Sequence, residues 1–291
     1  MTEIWESGRI LSVTADFFKK RGIESARLDA EILLADTLEQ TREILLADQS
    51  RLLTELELTR YRERVRQRAA GKPAAYLLNR KEFYSLPFYV DEHVLIPRPE
   101  TELLVDLALK LSRAAGCGRR VCDVGTGSGC IAAALAHADA DLQITATEIS
   151  KDAARVAVRN LSDLGLLYRV RVVECDLFPA PAGERYDIIV SNPPYVSMEE
   201  FESLSPTIRR YEPKPALTDG ADGLTVYRRL VTECPAHLRS PGGSILLEVS
   251  PRISQRLPAI LAEEKSPLAL VDVHPDLAGL PRVAQLSWRS T

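Results

Sequence analysis

The N-terminal quarter of the chain carries helical periodicity throughout. Ser25 fits the N-cap of ARLDAEILLADTL, in which Leu28, Ile32 and Ala35 recur at helical spacing. Thr41 fits a cap for a short helix through Ile44, Leu45 and Asp48. A helix from about Thr54 places Leu58, Tyr61, Val65 and Ala69 on one face. No period-2 segment interrupts this stretch, which reads as a small helical bundle. The pattern breaks at Gly71-Lys72-Pro73. Residues 81 to 96, KEFYSLPFYVDEHVLI, are rich in aromatic and β-branched types and predict a β-hairpin or two short extended pieces. In Pro97-Arg98-Pro99-Glu100-Thr101-Glu102, Pro99 suits the first helical position, and the acids complement the dipole of a helix running to about Arg113.

From Arg119 the period changes. Apolar runs at 119–124, 142–148, 169–175, 186–192, 243–249, 268–274 and 282–288 predict strands, most of them separated by helical segments. Alternating β and α with near-continuous apolar strands imply a parallel sheet covered on both faces. No helix separates the last two runs, so the final strand is expected to return antiparallel, as a hairpin. The predicted fold class is α/β: a seven-stranded, mostly parallel, Rossmann-like sheet with a small N-terminal helical bundle and a β-hairpin connector. The boundaries are 1–72 for the bundle, 73–97 for the connector and 98–291 for the α/β domain.

Composition narrows the function. The 291 residues are 45% hydrophobic and 27% charged, with a formal charge of −4. That acidic balance argues against a protein whose main work is gripping phosphate backbones. The five cysteines (Cys117, Cys122, Cys130, Cys175, Cys234) form no CxxC, and the four histidines (His93, His137, His237, His274) no HExxH. Neither a disulfide framework nor a metal site is expected, and a reducing compartment fits. The opening MTEIWESGRI has no apolar h-region, and the longest apolar stretches, such as Ile131 to Ala136, are too short to span a bilayer. A soluble, cytoplasmic protein is expected. Cys122 and Cys130 read as small apolar fillers, and Trp5 and Trp288 as packing residues. Arg60, Arg62, Arg64, Arg66 and Arg68 form the densest basic run, either a solvated helix side or a docking face.

The first predicted strand runs into Asp123-Val124-Gly125-Thr126-Gly127-Ser128-Gly129 and an Ala-rich helix. Glycines here allow a tight turn and close approach of a ligand to the backbone. The second strand ends at Glu148, placed to accept both hydroxyls of a ribose. GxGxG lacks the third glycine of a dinucleotide fingerprint, and no GK[ST] follows. The loop therefore suits a cofactor with a ribose and an amino-acid tail better than one with phosphates.

The fourth strand ends in Ser191-Asn192-Pro193-Pro194-Tyr195. Two prolines stop the strand and hold Asn192 and Pro193 extended. The Asn192 side-chain oxygen and the Pro193 carbonyl can accept the two N–H groups of a planar NH2, with Tyr195 as an aromatic face beside it. Such an arrangement makes a poor nucleophile, an amide or an aromatic amine, attack in line.

Together these residues resemble class I S-adenosylmethionine-dependent methyltransferases carrying the NPPY motif. Within them the chain resembles the HemK/PrmC family, which N5-methylates the glutamine of the GGQ motif in class I peptide chain release factors. The likeness covers nearly the whole chain: GI-x3-RLDAEILLA (Gly22 to Ala35), KEFYSLPFYV, VLIPRPETE, DVGTGSG, NPPY, YEPKPAL-x-DGADGL-x-VYR (Tyr211 to Arg228), PGGSILLEV and DLAG-x2-RV follow in family order. PRPETE discriminates, because the related family that modifies a ribosomal-protein glutamine carries a serine after the PR. NPPY alone is shared with adenine-N6 methyltransferases.

The resemblance implies S-adenosyl-L-methionine as cofactor and S-adenosyl-L-homocysteine as product. It implies that Gly125, Thr126, Gly127, Ser128 and Gly129 line the methionine part, Glu148 holds the ribose and Leu177 lies near the adenine. Asn192 would stand between cofactor and substrate, and Asn192, Pro193, Pro194 and Tyr195 would bind the glutamine amide, with Asn192, Pro193 and Tyr195 catalytic. The N-terminal bundle would recognise the substrate. A monomer is expected, with no membrane and no sequence-specific nucleic-acid partner. The alternatives are N5 methylation of a ribosomal-protein glutamine and N6 methylation of adenine. The chain departs from its relatives at Leu177, often aromatic there, at Val249-Ser250-Pro251-Arg252, where Ile-Gly usually follows the acid, and at Leu280-Pro281.

Overall fold

The computed structural model describes residues 5–114, 118–179 and 183–289. Cys117 lies outside them. The chain divides into two compact units, 1–80 and 81–291.

The first unit is built from α1 (Ser7–Lys20), α2 (Ala26–Thr37), α3 (Arg42–Ala47), α4 (Glu55–Ala69) and α5 (Ala74–Leu78). Thr41 caps α3 by accepting from Ile44 N, and Thr54 forms a capping box with Glu57 at the start of α4. Ser25 occupies the N-cap of α2, but its side chain makes no capping bond. The buried face of α2 overlaps the predicted one only in part: Ala35 is buried as expected and Ile32 half-buried. Leu28 is 45% exposed, while Ala30, Leu33 and Leu34 are fully buried with Leu11, Phe18, Leu45 and Tyr61.

Two acids on α2 are buried because arginines neutralise them. Asp29 accepts from Arg68 Nε at 2.6 Å, and Glu31 accepts from Arg27 and Arg42 at 2.5 and 2.6 Å. Arg64 likewise pairs with Asp36, and Arg66 with Glu63. The basic run on α4 is therefore no continuous positive surface, since three of its arginines are held by acids. The break at Gly71-Lys72-Pro73 is brief: α5 follows at once, in contact with α2 and α4. Residues 74–78, predicted as connector, are thus helical and belong to the first unit.

The second unit opens with the predicted hairpin, β1 (Lys81–Phe83) and β2 (Leu86–Phe88), paired antiparallel. A 3-10 turn at Pro99–Thr101 leads into α6 (Glu102–Ser112). Then follow β3 (Arg120–Val124), α7 (Cys130–Ala138), β4 (Gln143–Glu148), α8 (Lys151–Asp163), β5 (Val170–Glu174) and β6 (Ile188–Ser191). Short helices α9 (Met198–Ser203), α10 (Pro206–Tyr211) and α11 (Lys214–Leu217) precede α12 (Thr225–His237), β7 (Ser244–Glu248), α13 (Pro251–Glu263), β8 (Leu268–Pro275) and β9 (Pro281–Trp288).

All seven predicted strands form one sheet, in the order β5-β4-β3-β6-β7-β9-β8. β9 is its antiparallel member, inserted between β7 and β8. Alternate residues feed opposite core layers: Ile188 and Val190 pack with α6 and α7, whereas Ile189 packs with α12 and α13. Trp5 and Trp288 are packing residues as expected, and Trp288 Nε1 donates to Arg239 O at 2.8 Å. The chain leaves β3 toward β4 and β5 on one side and reaches β6 and β7 on the other. That reversal opens a crevice at the carboxyl ends of β3 and β6, where open α/β sheets bind ligands. Among the described residues no helix is long and apolar enough to cross a membrane.

Candidate active site

A cavity of about 310 Å3 occupies that crevice. It is lined by Gly125, Thr126, Gly127 and Ser128 after β3, by Glu148 at the end of β4 and Ile149 beyond it, by Asp176 and Leu177 after β5, and by Asn192, Pro193 and Pro194 after β6. Residues separated by almost seventy positions thus meet because four parallel strands end at one edge.

The loop after β3 is held by its neighbours. Gly125 N and Thr126 N both donate to Thr147 O at 2.9 Å, and Gly127 N donates to Glu148 Oε2 at 2.9 Å. Gly125 and Gly127 have φ of +72° and +55°, and a Cβ on either would meet no protein atom within 4 Å. Their missing side chains therefore leave open room on the cavity side. Gly129 (φ +80°) is needed for packing instead, since its Cβ would lie 3.2 Å from that of Ala157 on α8. Asn160 on α8 ties the loop to the connector: it donates to Ser128 O at 2.8 Å and exchanges bonds with the Tyr89 backbone.

Asp123, on β3 beneath the loop, is fully buried. Its Oδ2 accepts from Thr126 Oγ1 at 2.6 Å and Ala132 N at 3.2 Å, while Oδ1 has no partner among the described residues. Burial pushes its carboxyl up to about 7.

Glu148 is 8% exposed, and its two oxygens are fixed by Gly127 N and by Ser150 N, the latter at 2.9 Å from Oε1. A carboxylate so anchored keeps its second lone pairs for two adjacent hydroxyls. Leu177 adopts a positive φ of 55°, and its carbonyl accepts from Thr147 Oγ1 at 2.7 Å. Its side chain supplies an apolar wall to the cavity.

Asn192 follows β6 directly. Its Nδ2 donates to Thr101 Oγ1 at 3.2 Å, and Thr101 Oγ1 donates to Glu248 Oε2 at 2.7 Å. Pro193 is buried, and Tyr195 differs from expectation. It does not line the cavity, but packs half-buried against the apolar layer of α12 and α13. Burial raises its hydroxyl to about 12, so it stays protonated. Its carbonyl accepts from Arg252 Nη2 at 2.7 Å, and Gly223 packs against the same carbonyl. Arg252 thus braces the Asn-Pro-Pro-Tyr segment at its last carbonyl.

Several site residues escaped the sequence reading. Arg98 lines the cavity and pairs with buried Glu212 at 2.5 Å, and Glu212 also accepts from Ile96 N. This clamps YEPKPAL onto the segment before α6, and brings Pro213, Pro215 and Ala216 into the lining. Thr101 and Glu248 were likewise unassigned. The signal lay in PRPETE and LLEV, where a hydroxyl and an acid stand beside apolar residues, but the partners are 147 positions apart.

A Rossmann-like sheet of this strand order, with a glycine loop, an acid at the tip of β4 and an Asn-Pro-Pro-Tyr edge, defines a methyltransferase. Residues 9–78 match the family model of the PrmC N-terminal domain, and residues 100–206 that of the methyltransferase small domain. The chain is 40% identical over 286 residues to a release factor glutamine methyltransferase of Rhodopirellula baltica, spanning 97% of this chain and 96% of that one. A namesake from Chlorobaculum tepidum is 39% identical over 255 residues, 85% and 86% of the two chains. A methyltransferase from Pyrococcus furiosus shares the fold, with a TM-score of 0.51 at 18% identity over 77% of this chain and 97% of that one. The chain belongs to the release factor glutamine methyltransferase family.

Proposed function

We propose that this protein transfers a methyl group from S-adenosyl-L-methionine to the side-chain amide nitrogen (N5) of the glutamine in the GGQ motif of class I peptide chain release factors. The carrying observation is the pairing, at one cavity, of an anchored Glu148 with an Asn192 whose Nδ2 is already committed to Thr101. That commitment leaves Asn192 Oδ1 and the Pro193 carbonyl as acceptors for an amide NH2.

The cavity fits the cofactor. The open space beside Gly125 and Gly127 suits the methionine part, Glu148 the ribose, and Leu177 with Ile149 the adenine. S-adenosylmethionine supplies an activated methyl group on a sulfonium. The chain's own residues must then hold a weakly nucleophilic nitrogen in line. Asn192 Oδ1 and Pro193 O pin its two hydrogens, while the Tyr195 carbonyl, gripped by Arg252, holds the segment that presents them. Orientation supplies most of the acceleration. After transfer the nitrogen's extra proton passes to water, and no residue is assigned as a general base. The helical unit 1–80 is the region we propose to recognise the release factor, in the cytoplasm.

The test is mass spectrometry of the GGQ peptide after incubating a class I release factor with enzyme and cofactor, with duplex DNA and a ribosomal-protein substrate in parallel. The reading requires one added methyl on the glutamine, absent with Asn192→Ala. Methylation of DNA or of the ribosomal protein alone would overturn it.

A further inference from the structure

The bonds around Asn192 form a chain with only one consistent polarity while Glu248 is ionised. Glu248 ends β7 and is 1% exposed, and Thr101, in the turn before α6, is 3% exposed. An ionised carboxylate only accepts hydrogen bonds. Thr101 must therefore spend its single proton on Glu248 Oε2, at 2.7 Å. Having done so, the hydroxyl can only accept from Asn192, so the amide must turn its NH2 toward Thr101, at 3.2 Å. Asn192 Oδ1 is then the branch left for a guest.

We propose that Thr101 and Glu248 are positioning residues that set the polarity of the Asn192 amide, so that Oδ1 rather than Nδ2 is presented to the substrate NH2. The proposal rests on the glutamine-amide reading of the site. Reversal follows from one proton. A protonated Glu248 can donate to Thr101 Oγ1, which then donates its own proton to Asn192 Oδ1. Nδ2 would face the substrate NH2, donor against donor.

The groups around Glu248 make that proton accessible. Burial is the dominant influence and raises its carboxyl to about 7, while the Thr101 bond and the charges of Arg282 and Arg98 pull it down and Glu100 pushes it up. Arg98 and Glu100 come from the segment before α6. Arg282 comes from β9, where Asp276 holds it at 2.9 Å. Tyr195, after the two prolines, lies within reach of the Glu248 charge, and the hydroxyl of Tyr227 on α12 donates to the Glu248 backbone carbonyl at 2.5 Å. Below about pH 7 the protonated form gains, and methyl transfer should fall with it.

The experiment measures kcat and KM for release-factor methylation from pH 5.5 to 8.5 for the wild type, Thr101→Val, Thr101→Ser and Glu248→Gln, with homocysteine-product binding by calorimetry. Thr101→Val should lower kcat roughly 100-fold, the scale of a misplaced reacting group, with product affinity within about twofold. Thr101→Ser keeps the hydroxyl and should restore kcat to within about threefold. Glu248→Gln should lose the acid limb near pH 7. Asp123 also titrates near 7, so Asp123→Asn, which should keep the kcat limb, is the control. An impaired Thr101→Ser, an unimpaired Thr101→Val or a persistent limb in Glu248→Gln would overturn the proposal. A readout without substrate separates this from failure of the glutamine reading. The Asn192 side-chain amide signal of nitrogen-15-labelled protein should move with a midpoint near pH 7 in the wild type and stay still in Glu248→Gln. A still signal in the wild type sinks the relay whatever the substrate proves to be.

Discussion

Glu148→Gln probes the cofactor half of the site with little change of shape. Each Glu148 oxygen already accepts one backbone N–H, Oε2 from Gly127 and Oε1 from Ser150, both at 2.9 Å. Glutamine offers one oxygen and one NH2, so in either orientation one of these N–H groups meets a donor. That mismatch should lower the unfolding free energy by about 1–3 kcal/mol. The NH2 edge can no longer accept a ribose hydroxyl, and a charge-assisted bond of about 1.5–3 kcal/mol is lost. Affinity for S-adenosylhomocysteine should weaken about 10- to 150-fold. Calorimetric titration reads the affinity and urea unfolding reads the stability. Glu174→Gln serves as control, because Glu174 is the exposed register partner of Glu148 on β5 and does not line the cavity. If the folded Glu148→Gln protein binds within twofold of wild type, Glu148 does not hold the ribose.

Other substitutions separate the remaining parts. In Gly223→Ala the new Cβ lies 2.5 Å from Tyr195 O and 2.8 Å from Arg252 Nη2, at a φ of +74°. Beyond the conformational cost of about 1–2 kcal/mol, it should displace the NPPY segment, lowering kcat on the order of 100-fold with near-normal product binding in the same calorimetric assay. Asp123→Asn tests buried titration: the wild-type carboxyl is raised from 3.8 to about 7. Between those values the folded state keeps a proton the unfolded state has released, so wild-type stability falls as pH rises through the window. Asparagine does not titrate, and the variant should gain about 2–3 kcal/mol on wild type between pH 5 and pH 8; a pH-independent difference in urea unfolding would contradict this. Leu33→Ala, at a fully buried position, should cost about 2–5 kcal/mol, whereas Leu28→Ala, 45% exposed, should cost under about 0.5 kcal/mol in the same assay.

The sheet was readable because its signal is local and redundant. Each strand is an apolar run, such as Ile188-Ile189-Val190, whose alternate residues feed both core layers, and the missing helix between the last two runs marked the antiparallel return. Periodicity served less well in α2. Of Leu28, Ile32 and Ala35 only Ala35 is buried, and Ala30, Leu33 and Leu34 share the inner side with Asp29 and Glu31. Arg68, Arg27 and Arg42 neutralise these acids and let them turn inward beside the leucines. Whether an acid is buried depends on where its counterion lies, 39 positions away in the case of Asp29 and Arg68. On α4, pairing of the same kind holds Arg64, Arg66 and Arg68 against acids and interrupts the basic run.

The candidate site divides along the same line. Gly125 to Gly129, Glu148 and Asn192 follow the ends of strands, so strand order alone brings them together, and their chemistry is written in short motifs. The bonds that orient them run between segments no local pattern connects. Asn192 meets Thr101 across 91 positions, and Thr101 meets Glu248 across 147. Tyr195 shows the cost of reading a motif as a unit. Its ring follows Pro194 in sequence but packs with α12 and α13, and what it contributes locally is a carbonyl gripped by Arg252. The same reasoning gives Ser250-Pro251-Arg252 a physical role. Pro251 opens α13 in its first turn and Ser250 caps it, which places Arg252 where its guanidinium reaches Tyr195 O and Glu200 together. Through Arg252 the first turn of α13 braces the segment that presents the acceptors.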